Sequence, residues 1–152
     1  MSKLEKLCEA YEAFERAISD IPDVKVRKLC SPTGGIRKFV ADARARTPRP
    51  TPSQIAAGLE QGWRETPSLI QGVEPRWRPV LTKAWHDATL SAYPDFLANE
   101  RQRLEKVLER GKIRTEAEFY RIRHEVDLLE GEADSTIELN RLYALIDAYE
   151  AR

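Results

Sequence analysis

This 152-residue chain is poor in the side chains that do redox, metal or proton-transfer chemistry near neutral pH. It has two cysteines, Cys8 and Cys30, and two histidines, His86 and His124. Two cysteines cannot staple a small secreted scaffold, so a reducing cytoplasm is the expected compartment. Neither histidine stands four residues from another histidine or a cysteine, whereas a zinc site needs several ligands at characteristic spacing. No metal or cofactor is expected. Net charge is also missing, because 25 Lys+Arg balance 25 Asp+Glu. That excludes a uniformly basic nucleic-acid binder and a disordered acidic chain. No stretch approaches the roughly 18 uninterrupted apolar residues of a membrane span. The start, Met1 to Lys6, places charged residues where a secretory leader needs an apolar run, so a cytoplasmic chain without a membrane partner is expected.

Enough apolar material remains, 41% of residues, for one domain with a real core. Its spacing is helical. Leu4, Leu7, Cys8, Tyr11, Phe14, Ile18 and Ile21 recur every three or four residues and fall on one helix face. Ser2 and Glu5 have the form of a capping box, and Pro22 marks the end. Residues 23–35 are ambiguous: Val24 and Val26 alternate with Lys25 and Arg27, which fits a short strand or a helical turn. Ser31 to Gly35 is turn chemistry. A Gly-rich turn before a helix exposes backbone donors, but the Gly-Lys-Ser/Thr ending of a phosphate loop is absent.

A Pro-rich connector near 47–52 predicts an extended spacer, ending in a helix start with Thr51 as cap, Pro52 at the first position and Gln54 reciprocating. Thr66-Pro67-Ser68-Leu69 echoes that start. Trp63 and Trp85 fall on helix stripes and are expected in the core. Trp77, between Pro75 and Pro79 and flanked by Arg76 and Arg78, is either a half-exposed interface anchor or a plug for a gap between helices. In the last third, Pro94 opens a helix that Gly111 stops. Thr115 with Glu118 and Ser135 with Glu138 predict two further capping boxes. Phe119, Ile122, Val126 and Leu129, then Leu139, Leu142, Ile146 and Tyr149, predict an antiparallel helical hairpin. The fold class is all-α: one single-domain bundle of about six helices.

Neutrality conceals charged blocks. Residues 25–49 carry eight basic side chains against the single acid Asp42. Lys25, Arg27, Lys28, Arg37, Lys38 and Arg44 are the candidate anion or nucleic-acid contacts. The plainer expectation is that this block docks on acidic neighbours, such as the C-terminal block. That block, residues 124–152, holds eight acids against Arg141 and Arg152. Glu125, Asp127, Glu130, Glu132, Asp134 and Glu138 either solvate the hairpin or present a negative face to a basic protein. Cys8 fits the apolar stripe as a small hydrophobe. His86 and His124 fit ordinary surface or boundary positions, His124 on the outer face of its helix.

The stretch from Leu108 to Tyr120 (LERGKIRTEAEFY), followed by the acidic hairpin, resembles the ends of small bacterial immunity proteins encoded beside polymorphic or contact-dependent toxins. The resemblance covers about a third of the chain and implies no particular binding residue. It implies a non-enzymatic, cofactor-free protein that masks another protein, for instance a cognate toxin; the charge clustering and the Trp–Arg chemistry, not the resemblance, make Trp77 and the six hairpin acids the expected contacts. The alternative is a nucleic-acid-binding accessory protein using residues 25–49.

Overall fold

Ser2 opens the first helix as its spacing predicts. Its hydroxyl accepts the Glu5 N–H at 3.1 Å, and α1 runs Lys3–Ile18. The structure, a computed structural model, describes every residue except 31–33, 131 and 133. The Ser31–Thr33 part of the Gly-rich turn, and Gly131 and Ala133 in the hairpin turn, therefore lie outside the described residues. The ambiguous stretch forms a one-turn helix, α2 (Val24–Arg27), because the Asp23 carboxylate accepts the Lys25 and Val26 N–H groups. Gly34 (φ 97°) supplies a left-handed residue before α3 (Gly35–Arg44). Such a backbone is open to glycine at no steric cost.

The connector carries a cis Thr47–Pro48 bond and leads into α4 (Pro52–Ile70). Both halves of the Thr51/Gln54 capping box form. The echo at Thr66-Pro67 is no second helix start. α4 runs through it, with the Thr66 hydroxyl donating to the Gly62 carbonyl at 2.9 Å and Ser68 donating to Glu65. Then follow α5 (Arg78–Ala92), α6 (Pro94–Arg110), α7 (Glu116–Leu129) and α8 (Thr136–Glu150). Gly111 (φ 74°) ends α6 as predicted.

Two predicted caps differ. Ser135, at φ −107° and ψ 15°, lacks the extended backbone that aims a cap at the helix donors, and makes no cap bond. Its hydroxyl donates to Glu132 at 3.4 Å instead. Thr115 does accept the Glu118 N–H, but the Glu118 carboxylate turns to the Arg114 N–H and the Arg110 guanidinium. Eight helices, and no strand, occupy the described residues. The added element is α2, the one-turn helix in the stretch whose spacing is ambiguous. None of the described helices is long and apolar enough to cross a membrane.

The helices bury two adjoining hydrophobic clusters. The larger unites α1, α3, α4, α5 and the start of α6 around Trp63, which is fully buried. The smaller is the hairpin: Ile122, Val126 and Leu129 of α7 meet Leu142, Leu145 and Ile146 of α8. Phe119, at the start of α7, stacks on Tyr149, at the end of α8, with ring centres 5.2 Å apart. The two helices are therefore antiparallel, as predicted. α6 serves both clusters, giving Phe96 to the first and Leu104 and Val107 to the second. Glu100, on the same helix, bonds Arg121 of α7 at 2.8 Å and lies 3.7 Å from Arg64 of α4. Arg64 in turn bonds Glu60, which also holds Lys3 and the Tyr93 hydroxyl.

Two outcomes follow from the packing. Leu142, 3% exposed at the hairpin seam, should cost about 2–5 kcal/mol when cut to alanine, read in denaturant melts; a change near zero would place the seam elsewhere. Cys8 is 3% exposed and Cys30 half-buried, and burial raises both thiols above their ordinary range. Thiol titration of the native protein should label Cys30 first and Cys8 only on unfolding.

Candidate functional site

The hairpin acids divide into two sets. Glu125 and Asp127 turn inward and are half-buried. Arg101 of α6 lies 3.6 Å from Glu125, and Gln71 donates to Asp127 at 2.6 Å. Burial raises both carboxyls above the usual range, only partly opposed by Arg101 at Glu125 and by the Gln71 hydrogen bond at Asp127. Glu130, Glu132, Asp134 and Glu138 stand in solvent where α7 turns into α8. Glu130 accepts the Tyr143 hydroxyl at 2.5 Å. Among the described residues, none of these four is in an ion pair. Beside Glu138 in the first turn of α8, Ile137 is 86% exposed. The sequence did hold a signal for it: Ile137 is two residues from Leu139 and so points away from the buried stripe. Trp77 is half-buried and packs on the larger cluster, with the Arg76 guanidinium 4.8 Å from its ring centre.

Three of the eight cations of the basic segment, Arg27, Arg37 and Lys38, are engaged within the chain. Arg27 donates to the Ile18 carbonyl at 3.3 Å, the Ile21 carbonyl at 2.6 Å and the Ser19 carbonyl, satisfying the acceptors left at the end of α1. Arg37 reaches Glu5 and Glu12 of α1, each at 2.8 Å, and its hydrogen bond holds the Glu5 carboxyl below its ordinary range. Lys38 pairs with Asp42 at 3.0 Å. Lys25, Lys28 and Arg44 are exposed and in no ion pair among the described residues. The acids paired with this block belong to α1 and to α3 itself, and among the described residues no ion pair links it to the C-terminal block.

A third feature was not foreseen. Where the two hydrophobic clusters meet, α4, α5, α6 and α7 leave a half-open cleft of about 1210 Å³. His124 lies there at 9% exposure, which corrects the expectation of an outer-face position. α7 is covered on two sides: Ile122 and Val126 serve the hairpin, while His124 meets Trp85 of α5 edge to face at 4.8 Å. Burial, helped by nearby His86, pushes the His124 pKa down to about 3, so its imidazole is neutral. Among the described residues, neither of its ring nitrogens has a hydrogen-bond partner, and the same holds for Trp85 Nε1 and His86 Nδ1. Nothing in the local sequence could have announced this, since Trp85 and His86 are far from His124 along the chain. Among the described residues, no group of three or more His, Cys, Asp or Glu side chains is placed to hold a metal ion.

The arrangement is that of an all-helical protein with an acidic end, free of ion pairs among the described residues, and a polar-lined cleft between two cores. No family model, curated protein or solved structure matches the chain.

The buried imidazole couples folding to pH. An unfolded chain protonates His124 near 6.5, the folded chain only near 3. Across that window the unfolded state binds more protons, so acid favours it. The His124 contribution should weaken stability as pH falls from 6.5 toward 3, by up to about 1.4 kcal/mol per pH unit. Denaturant melts between pH 7 and 5 should show this slope in the native chain and a flatter one in His124→Leu.

Proposed function

We propose that this chain is a non-enzymatic binding protein that masks a basic protein partner, with the turn between α7 and α8 as its recognition surface. The carrying observation is Ile137, a large apolar side chain almost wholly in solvent, amid Glu132, Asp134 and Glu138, which have no cationic partner among the described residues. An apolar anchor within a charged rim is the make-up of a protein interface: the anchor slows escape, and the rim steers encounter. Ile137 takes the anchor role that the sequence assigned to Trp77. Glu125 and Asp127, turned inward, leave the rim to the exposed acids. The immunity-protein resemblance runs up to this same hairpin and favours a cytoplasmic inhibitor of a toxin as the concrete form. The nucleic-acid alternative loses support, because Arg27, Arg37 and Lys38 are engaged within the chain.

Retention of a basic protein from an extract of the native host, followed by kinetics on that pair, tests the reading. Reversing Glu132, Asp134 and Glu138 to lysine should lower the association rate about tenfold at low salt and flatten its salt dependence, with the helical circular dichroism unchanged. Ile137→Ala should raise the dissociation rate instead. Unchanged kinetics in both variants would overturn the assignment. Salt-sensitive binding of nucleic acid that is lost when Lys25, Lys28 and Arg44 are reversed would replace it.

A further inference from the structure

The cleft between the two hydrophobic clusters has the attributes of a ligand site, independently of the hairpin surface. Five nitrogens of four side chains lining it, both ring nitrogens of His124, Trp85 Nε1, His86 Nδ1 and Arg64 Nε, are buried without a hydrogen-bond partner among the described residues, Arg64 Nε lying 3.7 Å from Glu100. A buried polar group left unpaired costs about 1–3 kcal/mol, so such a cluster is retained only against a compensating gain. His124 is itself nine-tenths buried. Its neutral imidazole offers one donor and one acceptor. The volume, about 1210 Å³, is ample for a small organic molecule. Leu69, Val80, Leu97 and Leu128 add apolar wall, and the first two are more exposed than core leucines and valines normally are.

Charge selects the ligand class. Every cation lining the cleft is already in an ion pair: Arg64 with Glu60, Lys83 with Asp87, Arg101 with Glu105 and Glu125, and Arg121 with Glu100. By contrast, Glu65, Glu116, Asp127 and Glu132 line the cleft with no ion pair among the described residues. An anion entering would meet carboxylates without a cationic partner and, among the described residues, no cation outside an ion pair. An ammonium group would donate to a carboxylate and to an imidazole acceptor, while its apolar body covers the leucine and valine wall; being a donor only, it leaves the Trp85 and Arg64 N–H groups unpaired. We propose that this cleft binds an organic cation, a protonated amine carried on an apolar body.

The test uses two probes of similar size and opposite charge, 4-phenylbutylamine and 5-phenylpentanoate, titrated into the full-length protein at pH 7. The readouts are the Trp85 indole N–H and the histidine imidazole resonances. The amine should shift the Trp85, His86 and His124 signals saturably, and the carboxylate should leave them in place. Glu125→Gln with Asp127→Asn, which removes two half-buried carboxylates from the cleft wall, should weaken the amine about tenfold while the other indole signals stay put. Absence of any saturable shift with the amine, equal or stronger response to the carboxylate, shifts confined to residues outside the cleft, or undiminished amine binding in the double variant would each overturn the proposal.

Discussion

The structure hangs on the burial of one indole. Trp63 of α4 is fully enclosed and gives its N–H to the Thr89 hydroxyl of α5 at 3.0 Å. Its ring meets Tyr11 and Phe14 of α1 and stacks on Trp85 of α5, with centres 5.6 Å apart. Three helices are therefore clamped by one side chain whose polar atom is satisfied, so its large apolar area is gained without an unpaired donor. Trp85 passes the contact on, edge to face, to Phe96 of α6 and His124 of α7. This relay of rings sets where the hairpin can sit, and it places an imidazole in the interior.

The second tie between the two clusters is ionic. Glu100 joins α6 to Arg121 of α7 and to Arg103 on its own helix, with Arg64 of α4 at longer range. The Glu100, Arg64 and Arg121 side chains are between 17% and 28% exposed, so the pairs are partly shielded from water. Partial burial strengthens the attraction but charges a desolvation penalty. Their clearest effect is on geometry: charge-assisted bonds set how the hairpin is angled against α4 and α6. Beside this tie the apolar packing is incomplete, and the cleft opens there.

Net neutrality results from two very different treatments of charge. The basic segment is folded against α1, where Arg37 bridges Glu5 and Glu12 and Arg27 finishes the helix end. The acids of the hairpin turn are exposed around Ile137, with no such partners among the described residues. A surface carrying an apolar residue within one sign of charge is fitted to meet a basic protein, which is why the binding reading rests on this end of the molecule.

Much of the fold was legible locally, because helix formation is governed by near neighbours. The stripe of α1, the Thr51/Gln54 box, the Gly111 stop and the antiparallel hairpin all follow from three- and four-residue spacing and from cap chemistry. The failures are also instructive. Thr66-Pro67 repeats the Thr-Pro of the α4 start, yet α4 is continuous through it, with Trp63 and Ile70 packed into one core. Ser135 had the right neighbour for a cap but the wrong backbone angles. For the candidate sites, the sequence by itself determined which acids cluster and where Ile137 breaks the stripe. Only the tertiary structure decided that Glu125 and Asp127 turn inward, that Arg37 is taken by α1, and that His86 and His124 share a cleft with Trp85. Those outcomes join residues far apart in the chain, and no local periodicity carries the information that brings such residues together.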